Sequence, residues 1–189
     1  MNRESWLIAA CTELTMHFLA CGRHVVPPVR ISTGFPSRSA LSRKKRRIGE
    51  CWSGASADDG VVQILISPVL GDPVEVLAVV AHELVHATVG NKHGHDSVFG
   101  SVARAIGLEG KMTSTVPGAA FKLAAGSILA KIGPYPHSPL NGSIEQKKQG
   151  TRLLKCKCKV CGCVVRITAM WLNSVGAPAC GCGAGTMSI

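Results

Sequence analysis

Trp6, Ala10, Leu14 and Phe18 stand four residues apart, one stripe of a helix that Gly22 ends. His17 within it reads as a packed or surface histidine. Two β-like pieces follow, Val29 to Ser32 and Arg47 to Trp52, separated by a Gly/Pro/Ser-rich stretch and the basic run Arg43, Lys44, Lys45, Arg46, Arg47. Val62, Ile64 and Ile66 alternate with Val61, Gln63 and Leu65, which predicts a strand with one strongly buried face, stopped by Ser67-Pro68. Asp72 as N-cap, Pro73 at the first helical position and Glu75 at the third open a helix over Pro73 to Val89, which Gly90 closes. A further helix starts at Asp96 or Ser97, turns Val98, Val102, Ala105 and Ile106 inward and ends at Gly107. Another, over Gly118 to Ile132, presents Phe121, Ala125, Ile128 and Ile132 on one face.

The pattern then changes. Pro134, Pro136 and Pro139 interrupt the chain and a polar stretch follows, so the expected organisation is a globular domain over 1–140, a linker over 141–150 and a cysteine-rich module over 151–189. With 189 residues and 46% hydrophobic content, the chain can bury one sizeable core plus a small appendage. Collagen-like and wholly disordered classes are excluded. No apolar run reaches the roughly 18 residues of a membrane span, and the N-terminal stretch lacks a basic region followed by a small-residue cleavage site. A cytoplasmic protein with no membrane partner is therefore expected. The formal charge of +10 favours polyanionic partners, nucleic acid first.

Nine cysteines are an odd number, and Cys156, Cys158, Cys161, Cys163, Cys180 and Cys182 crowd the tail. Clustered thiols in a reducing compartment read as metal ligands rather than disulfides. Cys11, Cys21 and Cys51 are scattered and suit small core positions.

Inside the Pro73 to Val89 helix stands His82-Glu83-Leu84-Val85-His86. Histidines at i and i+4 lie one above the other on a helical face, so both imidazoles can reach one zinc ion, and Glu83 can contact a water held there. The surrounding Val76, Leu77, Val79, Val80, Ala81, Leu84 and Val85 make the helix nearly all apolar, where unpaired polar side chains are costly. A catalytic site needs a third protein ligand. Candidates are His93 and His95 in Asn91-Lys92-His93-Gly94-His95-Asp96-Ser97-Val98-Phe99, then Asp96 and the more distant Glu109.

These residues resemble the SprT-like (Spartan-type) zinc metallopeptidases, in which His-Glu-x-x-His is followed some ten residues on by His-Gly-x-x-Phe or a close variant. The likeness runs from the opening helix to about Pro139 and is closest to phage and bacterial members with a cysteine-rich tail. Aligned on Phe99, it implies His82, His86 and His95 as ligands and Glu83 as catalytic acid/base. The chain departs from the pattern at Asp96, where the family often has Gly. The resemblance implies an α+β, zincin-like domain that hydrolyses peptide bonds, with Val61 to Ile66 as the edge on which an extended substrate docks. Tyr135 beside His137 reads as a packing residue rather than an oxyanion partner.

In the tail, Cys158-Lys159-Val160-Cys161 and Cys180-Gly181-Cys182 form paired knuckles at the separation of a structural zinc ribbon with four cysteine ligands, and Cys156 and Cys163 are competing thiolates. Val164 to Thr168 reads as a strand and Trp171 as a packing aromatic. A segment this small needs metal to hold it together. Lys147, Lys148, Arg152, Lys155, Lys157, Lys159 and Arg166 surround it with no acid among them, which suits a nucleic-acid backbone. The sequence thus points to a protein with two zinc ions that cleaves DNA-associated proteins. The rival reading is a nucleic-acid-binding or transcription-associated protein whose His-Glu-x-x-His site is structural or vestigial. Glu83 separates the two, because a structural site has no use for an acid/base beside its metal.

Overall fold

The computed structural model describes residues 1–22, 24–42, 44–141 and 152–189. Arg43, Lys147, Lys148 and all of the expected linker except Asn141 lie outside these residues. The chain divides into two compact units, Met1–Ile144 and Glu145–Ile189. Together they form a mixed α+β protein of five α-helices and several small sheets among the described residues. No helix is long and apolar enough to cross a membrane among them.

Unit 1 begins with α1 (Arg3–Ala20), whose N-cap Asn2 and Ser5 form a reciprocal capping box. Its stripe of Trp6, Ala10, Leu14 and Phe18 is fully buried. His17 packs as expected: its Nε2 lies 2.9 Å from the carbonyl of Ile106 and its ring meets Phe121 edge-on. Strands β1 (Val29–Thr33), β2 (Gly49–Trp52) and β3 (Val62–Ile66) form a sheet of order β1-β3-β2, with β1 parallel and β2 antiparallel to β3.

The Val61 to Ile66 segment is therefore the central strand, and the expectation that it is an edge does not hold. Its side chains explain the difference, because Ile64 and Ile66 are buried while β2 carries Gly49, Glu50 and Trp52, residues poorly suited to a strand covered on both sides. Helices α1 and α2 (Pro73–Val89) pack on β1 and β2 respectively and touch each other, so they cover one face of the sheet. Asp72 caps α2 by accepting from the N–H of Glu75 at 2.8 Å, and Gly90 ends it at a φ of 87°.

Asp96 caps α3 (Ser97–Ala105). The buried face of α3 is Phe99, Gly100, Val102 and Ala103, with Ile106 just beyond, so Val98 and Ala105 point outward, contrary to the sequence reading. Phe99, not Val98, is the anchor of this short helix: it is fully buried while Val98 is 43% exposed.

A hairpin absent from the sequence reading follows, β4 (Leu108–Lys111) and β5 (Ser114–Pro117), joined through Met112 and Thr113. α4 (Ala119–Ile132) then packs its Phe121, Ala125 and Ile128 against α1 and α2. Tyr135 packs edge-on to Trp6 at 4.9 Å between ring centres, whose indole N–H donates to the Gly133 carbonyl.

In unit 2, β6 (Leu153–Lys157) pairs with β7 (Val164–Thr168), α5 (Ala169–Val175) follows, and β8 (Ala179–Cys180) pairs with β9 (Gly185–Thr186). Its buried core is Cys156, Cys158, Cys180 and Met187. Trp171 corrects the sequence reading, since it lies on the outer side of α5 and is 54% exposed rather than packed.

The burial of α3 gives a direct test. Phe99→Ala should destabilise unit 1 by about 3–5 kcal/mol, as full truncation of a buried aromatic does. Val98→Ala should stay within about 0.5 kcal/mol, as exposed substitutions do. Denaturant unfolding of the two variants measures both.

Candidate metal centres

The imidazoles of His82 and His86, one turn apart on α2, meet that of His95, which the turn after α2 brings back over the helix. His95 Nε2 lies 3.2 Å from His82 Nε2 and 3.2 Å from His86 Nε2. One ring N–H divided between two acceptors makes two weakened bonds, so a shared cation accounts for this triangle better than hydrogen bonding does. A tetrahedral cation bonded to nitrogen at about 2.0–2.1 Å brings its ligand nitrogens about 3.3 Å apart, close to what is seen. The group could hold a metal ion.

The protonation states fit. Burial first, then the neighbouring histidines, pushes His82 down to about 3. Burial and His95 push His86 down to about 4, and burial lowers His95 too. All three are neutral near pH 7, as metal ligation requires. The Nδ1 of His82 lies 2.9 Å from Thr115 Oγ1 on β5, a hydrogen bond that orients the ring with its Nε2 toward His95. Phe99 packs beneath all three rings with centroid distances of 4.5–4.9 Å.

The other candidate ligands have different tasks. His93 Nδ1 lies 3.0 Å from Asp96 Oδ2, and Asp96 Oδ1 accepts from the N–H groups of Val98 and Phe99 at the start of α3. Glu109 sits on β4 against Gly118, where an added Cβ would overlap its carboxylate.

Glu83 is 7% exposed. Burial pushes its pKa up to about 8 against the opposing pull of Arg47. Its carboxylate is accommodated because position 49 carries no side chain: a Cβ there would fall on Glu83 Oε1 and 2.8 Å from Val79 Cγ1. Glu83, the three histidines, the residues Gly49 to Trp52 of β2 and Thr113 to Thr115 of the hairpin line one cleft of about 710 Å³. Cys51 packs half-buried against the apolar core and also lines the cleft, its thiol raised to about 12 by burial and by Glu83.

The second group is Cys158, Cys161, Cys180 and Cys182, whose sulfurs all lie within 4.8 Å of one another. Cys161 and Cys180 are 3.4 Å apart and Cys158 and Cys182 3.7 Å, too long for disulfides. A tetrahedral cation at about 2.3 Å from each sulfur would set them about 3.8 Å apart. N–H groups of Cys161 and Val160 aimed at Cys158 hold its thiol down to about 6, favouring the thiolate. Cys156 is buried in the small core and Cys163 is exposed, and neither joins the four. Arg152, Lys155, Lys157, Lys159 and Arg166 are all exposed.

Sequence reasoning missed Thr115, Gly49 and the cleft-lining role of Arg47. Thr115 belongs to a hairpin with weak propensity signals. Gly49 becomes meaningful only once β2 is known to cross α2 at Glu83.

In a metal titration of the full chain, Thr115→Val should weaken binding at the histidine site by about 10-fold or more, as loss of a ligand's supporting hydrogen bond does. Thr115→Ser should restore it. His95→Ala should abolish binding there, while His93→Ala should leave the site's affinity within a few-fold of the parent.

No family model, curated protein or solved structure matches this chain.

Proposed function

We propose that the chain is a zinc-dependent metallopeptidase, with a zincin-like domain similar to the SprT-like family and a zinc ribbon that docks on nucleic acid near its protein substrates. The observation that carries this reading is the open side of the histidine triangle, which faces the cleft next to a buried carboxyl group. A purely structural site is closed by four protein ligands, as the cysteine group is. Zinc, when bound by His82, His86 and His95, supplies a Lewis acid that polarises a scissile carbonyl.

The rest belongs to the protein. Glu83, with its pKa pushed up to about 8, lies in the range where a group best takes a proton from an attacking water and returns it to a departing amine. Thr115 holds the His82 ring in its orientation. β2, the edge strand beside the site, can align an extended substrate by main-chain pairing. Its alternation supports this: the Ile48 carbonyl accepts from Ser67 on the β3 side, whereas the Cys51 carbonyl accepts from Asn91 Nδ2 on the other. Gly49 and Cys51 thus turn their backbone groups away from β3.

The ribbon reading rests on the register of β6 and β7. Lys155 stands directly opposite Arg166, and Lys157 shares their face. Like charges in that position repel, and a phosphate between them removes the penalty.

Glu83→Gln should retain two zinc ions per chain by elemental analysis and lose cleavage of an unfolded protein substrate by about 100-fold or more, the contribution of a general base. Equal activity of the two proteins would refute the role given to Glu83. For the ribbon, Lys155→Ala/Lys157→Ala/Arg166→Ala should lower the slope of log affinity for duplex DNA against log salt by about 2–3. An unchanged slope would place any DNA contact elsewhere.

A further inference from the structure

The cleft's charge is one-sided. Arg38, Lys45, Arg46 and Arg47 line it together with the histidines, and all four are exposed. Among the described residues, the acids that line it are Glu50 and Glu83. Glu50 is already engaged: it accepts from the Ser37 N–H at 2.8 Å, the Ser37 hydroxyl at 2.7 Å, Arg47 at 2.6 Å and the Trp52 indole at 3.1 Å. Although burial raises its pKa, these donors outweigh that and hold the carboxyl below its usual value. Glu50 therefore neutralises Arg47, and Glu83 is buried behind β2. Among the described residues, no acid pairs with Arg38, Lys45 or Arg46.

The loop that carries those three cations is also tied down, and Arg46 is bonded within it. Ser37 and Arg47 both bind Glu50, so the loop that carries Arg38, Lys45 and Arg46 is closed at its base. Within it, Arg46 Nε donates to the Ser42 carbonyl at 3.2 Å and Ser42 Oγ to the Lys44 carbonyl at 2.6 Å. A loop tied in this way loses less conformational entropy on binding than a free one. Its cations border a strand whose outward backbone groups can pair with a polypeptide main chain, a match that a nucleic-acid backbone does not offer. We infer that the cleft selects acidic polypeptide segments, with Arg38, Lys45 and Arg46 receiving carboxylates of a chain laid along the edge of β2. This rests on the hydrolytic reading above and adds the substrate class.

The test uses the zinc-loaded full chain carrying Glu83→Gln, so that binding is read without turnover. A short fluorescent peptide alternating Glu with Ala is titrated against its Gln counterpart by anisotropy. The acidic peptide should bind about 10-fold more tightly, the sum expected of three exposed ion pairs, and the difference should shrink as salt rises. Arg38→Ala/Lys45→Ala/Arg46→Ala should remove it. Lys155→Ala/Lys157→Ala/Arg166→Ala should leave it intact. Equal affinities, or a preference that survives the loop substitutions or disappears with the ribbon ones, would overturn the inference. So would an oligothymidylate that loses affinity on the loop substitutions when the acidic peptide does not, since that would make the cleft a nucleic-acid groove. Cleavage by the parent chain without acid preference defeats this inference alone, whereas acid preference without any cleavage defeats the hydrolytic reading alone.

Discussion

Three imidazole nitrogens converging on one point, two of them 3.2 Å from the third, set the terms for unit 1. Two of them are carried by a helix whose remaining face is buried apolar surface, so α2 must be enclosed on most sides and open on one. The sheet, α3 and α4 enclose it, while β2, the hairpin and the turn carrying His95 border the opening. Phe99 links the two demands, since one fully buried ring both anchors α3 and supports all three imidazoles.

The two groups that could hold a metal ion differ in what they leave free. Four cysteine sulfurs in unit 2 surround their centre, and so few other side chains are buried there that a cation would supply much of the folding energy. In unit 1 an extensive apolar core already holds the fold, and three ligands leave one side toward the cleft. The contrast follows from size: the small unit has little else to hold it together, and the large one, already held by its core, leaves its histidines facing the cleft.

The parts of the fold that were legible in the sequence are those with strong local signals. The four-residue stripe of α1, the Asp72-Pro73 start of α2 and the spacing of His82 and His86 each specify their structure within a few residues. His95 was legible through its distance from Phe99, and the four ribbon cysteines through their knuckles. What stayed hidden depends on partners distant in sequence. Whether Val62–Ile66 is central or an edge is decided by β2 pairing beside it, and the hairpin before α4 exists because its short strands pack over α2. In α3, Val98 and Phe99 are adjacent and both apolar, and it is Phe99, packed under the histidines, that turns inward.

Gly49 shows how the strand and the helix constrain each other. The carboxylate of Glu83 and the Val79 methyl occupy the space that any side chain at position 49 would need. Variation along β2 is therefore restricted on the face toward α2, and divergence that retunes what the strand meets must come from Glu50, Trp52 and the preceding loop. The edge can change what it meets only through residues that do not touch Glu83, so the outer lining of the cleft is free to drift while the packing of β2 on α2 stays fixed.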